Sequence, residues 1–76
     1  MATATEQTMA LFINGEARDV PEGMSLEALL RHLGRDPGAP GVAVAVNDVV
    51  VRRADWASTA LAAGDRVEVV TASQGG

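Results

Sequence analysis

Leu26, Leu29, Leu30 and Leu33 fall at i, i+3, i+4 and i+7, and this spacing constrains the fold more than any other feature of the chain. It places four leucines on one face of a single helix. Ser25 precedes the stripe, where its hydroxyl can accept from a free backbone N–H of the first turn. Glu27 suits the positive end of the helix dipole; Arg31 and His32 suit the negative end. Gly34 stands where a left-handed C-cap is expected. Together these start and stop signals predict a helix of about nine residues. One amphipathic helix cannot bury its own stripe, so it needs a sheet face against it.

Strand signals flank the helix on both sides. Met9-Ala10-Leu11-Phe12-Ile13 is an apolar run followed by Asn14-Gly15, a pair that tolerates the positive φ angles of a type I′ hairpin turn. Glu16-Ala17-Arg18-Asp19-Val20 returns as a polar antiparallel strand, ended by Pro21-Glu22-Gly23. Residues 35–41 hold two prolines and two glycines and read as a loop. Residues 42–46 read as a central strand of valines and alanines. Asn47-Asp48 turns the chain into Val49-Val50-Val51. Residues 52–64 are irregular, with a short helical turn expected around 56–60. Gly64-Asp65 is a tight turn, and residues 66–70 alternate as a last strand. The expected class is α+β: a five-stranded mixed sheet with one helix across one face. The order and length resemble the β-grasp fold, the architecture of ubiquitin.

Size and composition narrow the function. A chain of 76 residues is one small domain, and such a chain buries only about 60–65% of its unfolded surface. Hydrophobic residues make up 47%, too many for a disordered chain. There is no cysteine and one histidine, so thiolate and polyhistidine metal sites are excluded. A net charge of −4 argues against nucleic acid and against anionic membrane surfaces. No run approaches the roughly 20 apolar residues of a membrane span. Residues 1–8 lack a basic region followed by an apolar one, so no signal peptide is read and the chain is expected in the cytoplasm. No nucleophile–base–acid spacing and no phosphate loop is present. A carrier or substrate of other proteins is therefore expected rather than an enzyme.

From Leu11 to Gly76 the chain resembles the thiamine sulfur-carrier family (ThiS). Leu11-Phe12-Ile13-Asn14-Gly15 looks like its opening. Ala45-Val46-Asn47-Asp48 and Val51-Arg52-Arg53-Ala54-Asp55-Trp56 resemble its middle signature. Leu61-Ala62-Ala63-Gly64-Asp65-Arg66-Val67-Glu68-Val69 resembles its closing strand, and Gly75-Gly76 follows. Arg52 departs from the proline that the family often places before the position of Arg53. The resemblance implies that the Gly76 carboxylate is adenylated by a ThiF-like activating enzyme using ATP and magnesium. It is then converted to a thiocarboxylate with sulfur from a donor such as a cysteine desulfurase. The thiocarboxylate delivers that sulfur to a ThiG-like thiazole synthase. The chain itself is expected to bind no cofactor. The alternatives are a carrier for molybdopterin or cysteine synthesis, and a noncatalytic β-grasp interaction module. The region of Trp56 and residues 61–65 look more like the thiamine family.

The residues assign the roles in physical terms. Glycines at 75 and 76 let backbone thread closely into a partner's active site. The expected organisation is an arm over 1–8, a β-grasp domain over 9–71 and a tail over 72–76. By strand parity Leu11, Ile13, Val42, Val44, Val46, Val67 and Val69 face the helix. Phe12, Ala43, Ala45 and Val70 are then left on the open face, as an apolar patch for partners. Trp56 is expected to plug a core edge with its indole N–H on a carbonyl. His32, Arg52 and Arg53 read as surface residues, and Asp65 as a turn residue.

Overall fold

The computed structural model describes residues 7–72. Gly75 and Gly76 lie outside the described residues, as do residues 1–6 of the arm. Five strands are formed: β1 Thr8–Ile13, β2 Glu16–Pro21, β3 Val42–Val46, β4 Val49–Val51 and β5 Arg66–Thr71. One α-helix, α1 Leu26–His32, lies between β2 and β3, and a 3-10 helix spans Arg53–Ser58. The sheet order is β2-β1-β5-β3-β4. β1 and β5 run parallel; every other neighbouring pair is antiparallel. This is the β-grasp architecture, with the last strand in sequence at the centre of the sheet.

Several boundaries differ from expectation, and β2 and β5 each run one residue further, to Pro21 and Thr71. Thr8 pairs with Pro21, so β1 takes one residue from the expected arm. The helix has seven residues rather than nine. Gly34 takes φ +80° and its N–H bonds the Arg31 carbonyl, while the Arg35 N–H bonds that of Leu30. That paired closure ends the helix and leaves Leu33 as its C-cap. The short helical turn expected around 56–60 instead spans Arg53–Ser58.

The stripe meets the sheet as its spacing requires. Leu26, Leu29 and Leu30 are fully buried, in one cluster with Leu11, Val44, Val67 and Val69. Burying a leucine side chain is worth about 1.5–3 kcal/mol, so these three are a large part of what holds a domain of this size. At the other end of α1, the Ser25 hydroxyl accepts from the Ala28 N–H at 3.1 Å. The Leu26 N–H bonds the Thr59 carbonyl and the Leu61 N–H bonds that of Met24, which pins the helix start to the segment after the 3-10 helix.

Trp56 is 2% exposed and its indole N–H donates to the Val51 carbonyl at 2.9 Å, as expected of a core plug. Arg53 does more than sit on the surface. Its guanidinium lies 4.7 Å from the Trp56 ring centroid and donates to the carbonyls of Pro37 and Ala39. A planar fork that stacks on an indole and serves two carbonyls fixes the 35–41 loop against the 3-10 helix.

Candidate functional site

The open face of the sheet carries the residues expected there, in two groups rather than one. Ala43 pairs with Val70, and Ala45 pairs with both Glu68 and Val50. Val70 and Val50 are 61% and 73% exposed. These four apolar side chains form one patch across β5, β3 and β4. Phe12, 43% exposed, stands on β1 opposite Arg66. Val70 lies four steps along β5 from Arg66, which is roughly 13 Å of strand. Glu68 lies between them on the same face. The expected patch of Phe12, Ala43, Ala45 and Val70 thus shares a face without being contiguous. Val50 was not anticipated; carrying the parity of Ala45 across the Asn47-Asp48 turn would have found it.

The patch ends beside the point where β5 leaves the sheet. Thr71 pairs with Val42, and the Ala72 N–H donates to the Gly41 carbonyl at 2.6 Å. Gly41 has φ +78°, and a Cβ there would touch that of Ala72 at 3.5 Å. Glycine therefore supplies a backbone conformation that other residues rarely adopt, close against the start of the tail. The Arg35 guanidinium donates to the Thr71 hydroxyl at 2.9 Å. The first residue of the expected tail, Ala72, is thus still tied to the domain.

Both two-residue hairpin turns have positive φ at each position: Asn14 and Gly15 at +51° and +86°, Asn47 and Asp48 at +51° and +71°. This is the type I′ geometry that matches strand twist. Each asparagine also reaches β5. The Asn47 carboxamide accepts from the Arg66 N–H at 2.9 Å and donates to the Asp65 carboxylate at 3.0 Å. The Asn14 carboxamide accepts from the Val69 N–H at 2.9 Å and donates to the Val69 carbonyl at 3.4 Å. The Asp65 carboxylate also accepts from the Ala62 N–H at 2.9 Å, which closes the Gly64 turn. His32 is exposed in the last turn of α1.

Among the described residues, no group of three or more His, Asp or Glu side chains is placed to hold a metal ion. No helix among them is long and apolar enough to cross a membrane. The geometry therefore joins two features: an open apolar sheet face, and a central strand that carries the chain to the rim of that face.

A small β-grasp domain with an open apolar sheet face and a central last strand is the class that fold and surface define. The ThiS family model matches residues 7–76, and the chain belongs to the ThiS family. It is similar to the thiamine biosynthesis protein ThiS of Geobacter metallireducens, whose crystal structure superposes with a TM-score of 0.76 at 31% identity. That likeness covers 90% of this chain and all of that one. The chain is also 41% identical over 68 residues to a thiazole synthase of Paramagnetospirillum magneticum (strain ATCC 700264 / AMB-1). This match takes in 90% of the chain and spans a fifth of that protein's length.

Proposed function

We propose that this protein is a sulfur carrier in thiamine thiazole biosynthesis, with the carboxyl group of Gly76 as the carrying group. The observation that supports this most is the family match, which runs unbroken from the first strand through Gly76. A carboxylate is a poor electrophile. Adenylation by an ATP- and magnesium-using ThiF-like partner gives it AMP as a leaving group, which sulfur can displace. The resulting thiocarboxylate hands its sulfur to thiazole synthase. The name of the Paramagnetospirillum magneticum relative supports that last partner. The sulfur donor is a protein such as a cysteine desulfurase, whose persulfide displaces AMP to give an acyl disulfide that a thiol then reduces to the thiocarboxylate.

In this reading the partners dock on the apolar patch of Ala43, Ala45, Val50 and Val70, with Phe12 at the far end of the same face. Gly75 and Gly76 then thread into the partner's active site. Their lack of side chains lets backbone pass close to the nucleotide.

The test is ATP–pyrophosphate exchange with the adenylating enzyme, followed by intact mass for replacement of one oxygen by sulfur. Deleting Gly76 leaves a chemically equal carboxylate one residue short, about 3.3–3.6 Å from its proper place. A misplacement of about 1 Å can cost on the order of 100-fold in rate. The shortened protein should fold and dock yet accept sulfur at least that much more slowly. Equal loading of the shortened and full chains would overturn the assignment of Gly76.

A further inference from the structure

β5 has different neighbours along its length. Its odd-numbered residues turn their backbone groups toward β1. The Phe12 N–H bonds the Asp65 carbonyl at 3.0 Å, and the Asn14 N–H bonds that of Val67 at 2.9 Å. The parallel register then stops at Ile13 and Val67, because β1 turns at Asn14-Gly15 into β2. Val69 is the next residue facing that way, and it has no β1 residue opposite. The Asn14 side chain fills the gap, with both polar ends of its carboxamide on the Val69 backbone. A primary amide presents an acceptor and a donor side by side, as the edge of a strand residue does. Asn14 thus extends the ladder by one residue that the main chain does not supply.

Three contacts follow one another toward the exit. Asn14 holds the Val69 backbone, Arg35 holds the Thr71 hydroxyl and Gly41 holds the Ala72 N–H. Only the first restrains β5 main chain from the β1 side. A cavity lined by Ile13, Asn14, Leu33, Arg35 and Val69 opens beside it. Water from that cavity would compete for the Val69 groups if the carboxamide were removed.

We propose that Asn14 is a positioning residue for sulfur loading: it holds the Val69 backbone from the β1 side, two residues before β5 ends, and thereby helps to set the direction in which the chain leaves the sheet. This rests on the carrier reading above. Slack in β5 at Val69, three residues before the expected tail begins at Ala72, loosens the base from which that tail extends, and small displacements of a reacting group cost large factors in rate.

The backbone requirement of the turn can be separated from the role of the side chain. Asn14→Gly keeps the positive φ without strain and removes the carboxamide. Asn47→Gly is its matched control: it has the same φ and also loses an amide bond to β5, but at the strand's other end. Exchange of the Val69 amide hydrogen is read first, with no partner present. It should be at least about tenfold faster in Asn14→Gly than in Asn47→Gly, as expected when one of its hydrogen bonds is lost locally. Steady-state adenylation, read as pyrophosphate exchange, should then show kcat lowered about tenfold or more by Asn14→Gly with KM unchanged, because the docking patch is intact. Asn47→Gly should leave both constants near those of the original. Unchanged Val69 exchange would overturn the clamp. Faster exchange with unchanged kcat, or equal kcat losses in the two variants, would overturn its role in positioning. An original protein that takes no adenylate would sink the carrier reading, and this role with it, while the exchange result would still decide whether the clamp exists.

Discussion

The two faces of one sheet are built from the same five strands and differ in almost every other respect. On the covered face Leu11, Val44, Val67 and Val69 are 6% exposed or less, and three leucines of α1 close over them. On the open face the neighbouring positions hold Phe12, Arg66, Glu68, Val70, Ala43, Ala45 and Val50. Stability lives on the first face and leaves the second free to vary. The open face nevertheless keeps exposed apolar side chains where charge would be easier to solvate. The contiguous part of it, Ala43, Ala45, Val50 and Val70, is the contact surface in the proposed reading.

Substitutions can break or sharpen this contrast. Leu30→Ala should have the largest effect, lowering unfolding free energy by about 2–5 kcal/mol. Denaturant unfolding reads it, and an unchanged midpoint would mean the covered face is not the core. Val70→Glu should leave the melting curve within about 0.5 kcal/mol of the original. It should weaken binding to the activating enzyme and to thiazole synthase by about 2 kcal/mol, by setting a charge in a desolvated contact. Titration calorimetry would separate the two groups on that face: a loss with Phe12→Glu and none with Val70→Glu would move docking to the β1 end. Arg53→Ala should cost about 1–2 kcal/mol, since it removes hydrogen bonds to two carbonyls and the stack on Trp56. Arg53→Lys should not restore this, because an ammonium lacks the fork. Asp48→Asn should do least. It keeps a residue tolerant of the left-handed turn and removes only an exposed pair with Arg66 at 2.9 Å, so thermal melting should shift by no more than about 0.5 kcal/mol.

The local pattern was enough for the covered face. The leucine spacing, the Ser25 cap, the Gly34 stop and the alternation of β3 and β5 are all set by neighbours in sequence. What escaped depends on partners far along the chain. Phe12 and Val70 have the same parity, but their separation follows from the parallel register of Phe12 with Arg66, which no local pattern encodes. Arg53 looks like any exposed arginine until the loop carbonyls of Pro37 and Ala39 come beneath it. The 3-10 helix starts there, three residues before the turn that the sequence suggested. Asn14 was legible as a turn residue, because φ +51° is a local demand. Its hold on Val69, 55 residues away, was not.

The central position of β5 also sets the order in which the molecule can be made. A ribosome releases β1, β2, α1, β3 and β4 first, as two hairpins and a helix with no strand to join them. Each hairpin then exposes the edge that β5 will later cover, and such unpaired edges invite association with other chains. Closing the sheet requires contacts between residues more than 50 apart, as in the pairing of Ile13 with Val67, so it comes late and slowly. The nascent chain therefore has no assembled open face until β5, residues 66–71, has been made. Chain synthesis itself keeps a half-made protein from engaging the partners of the finished one.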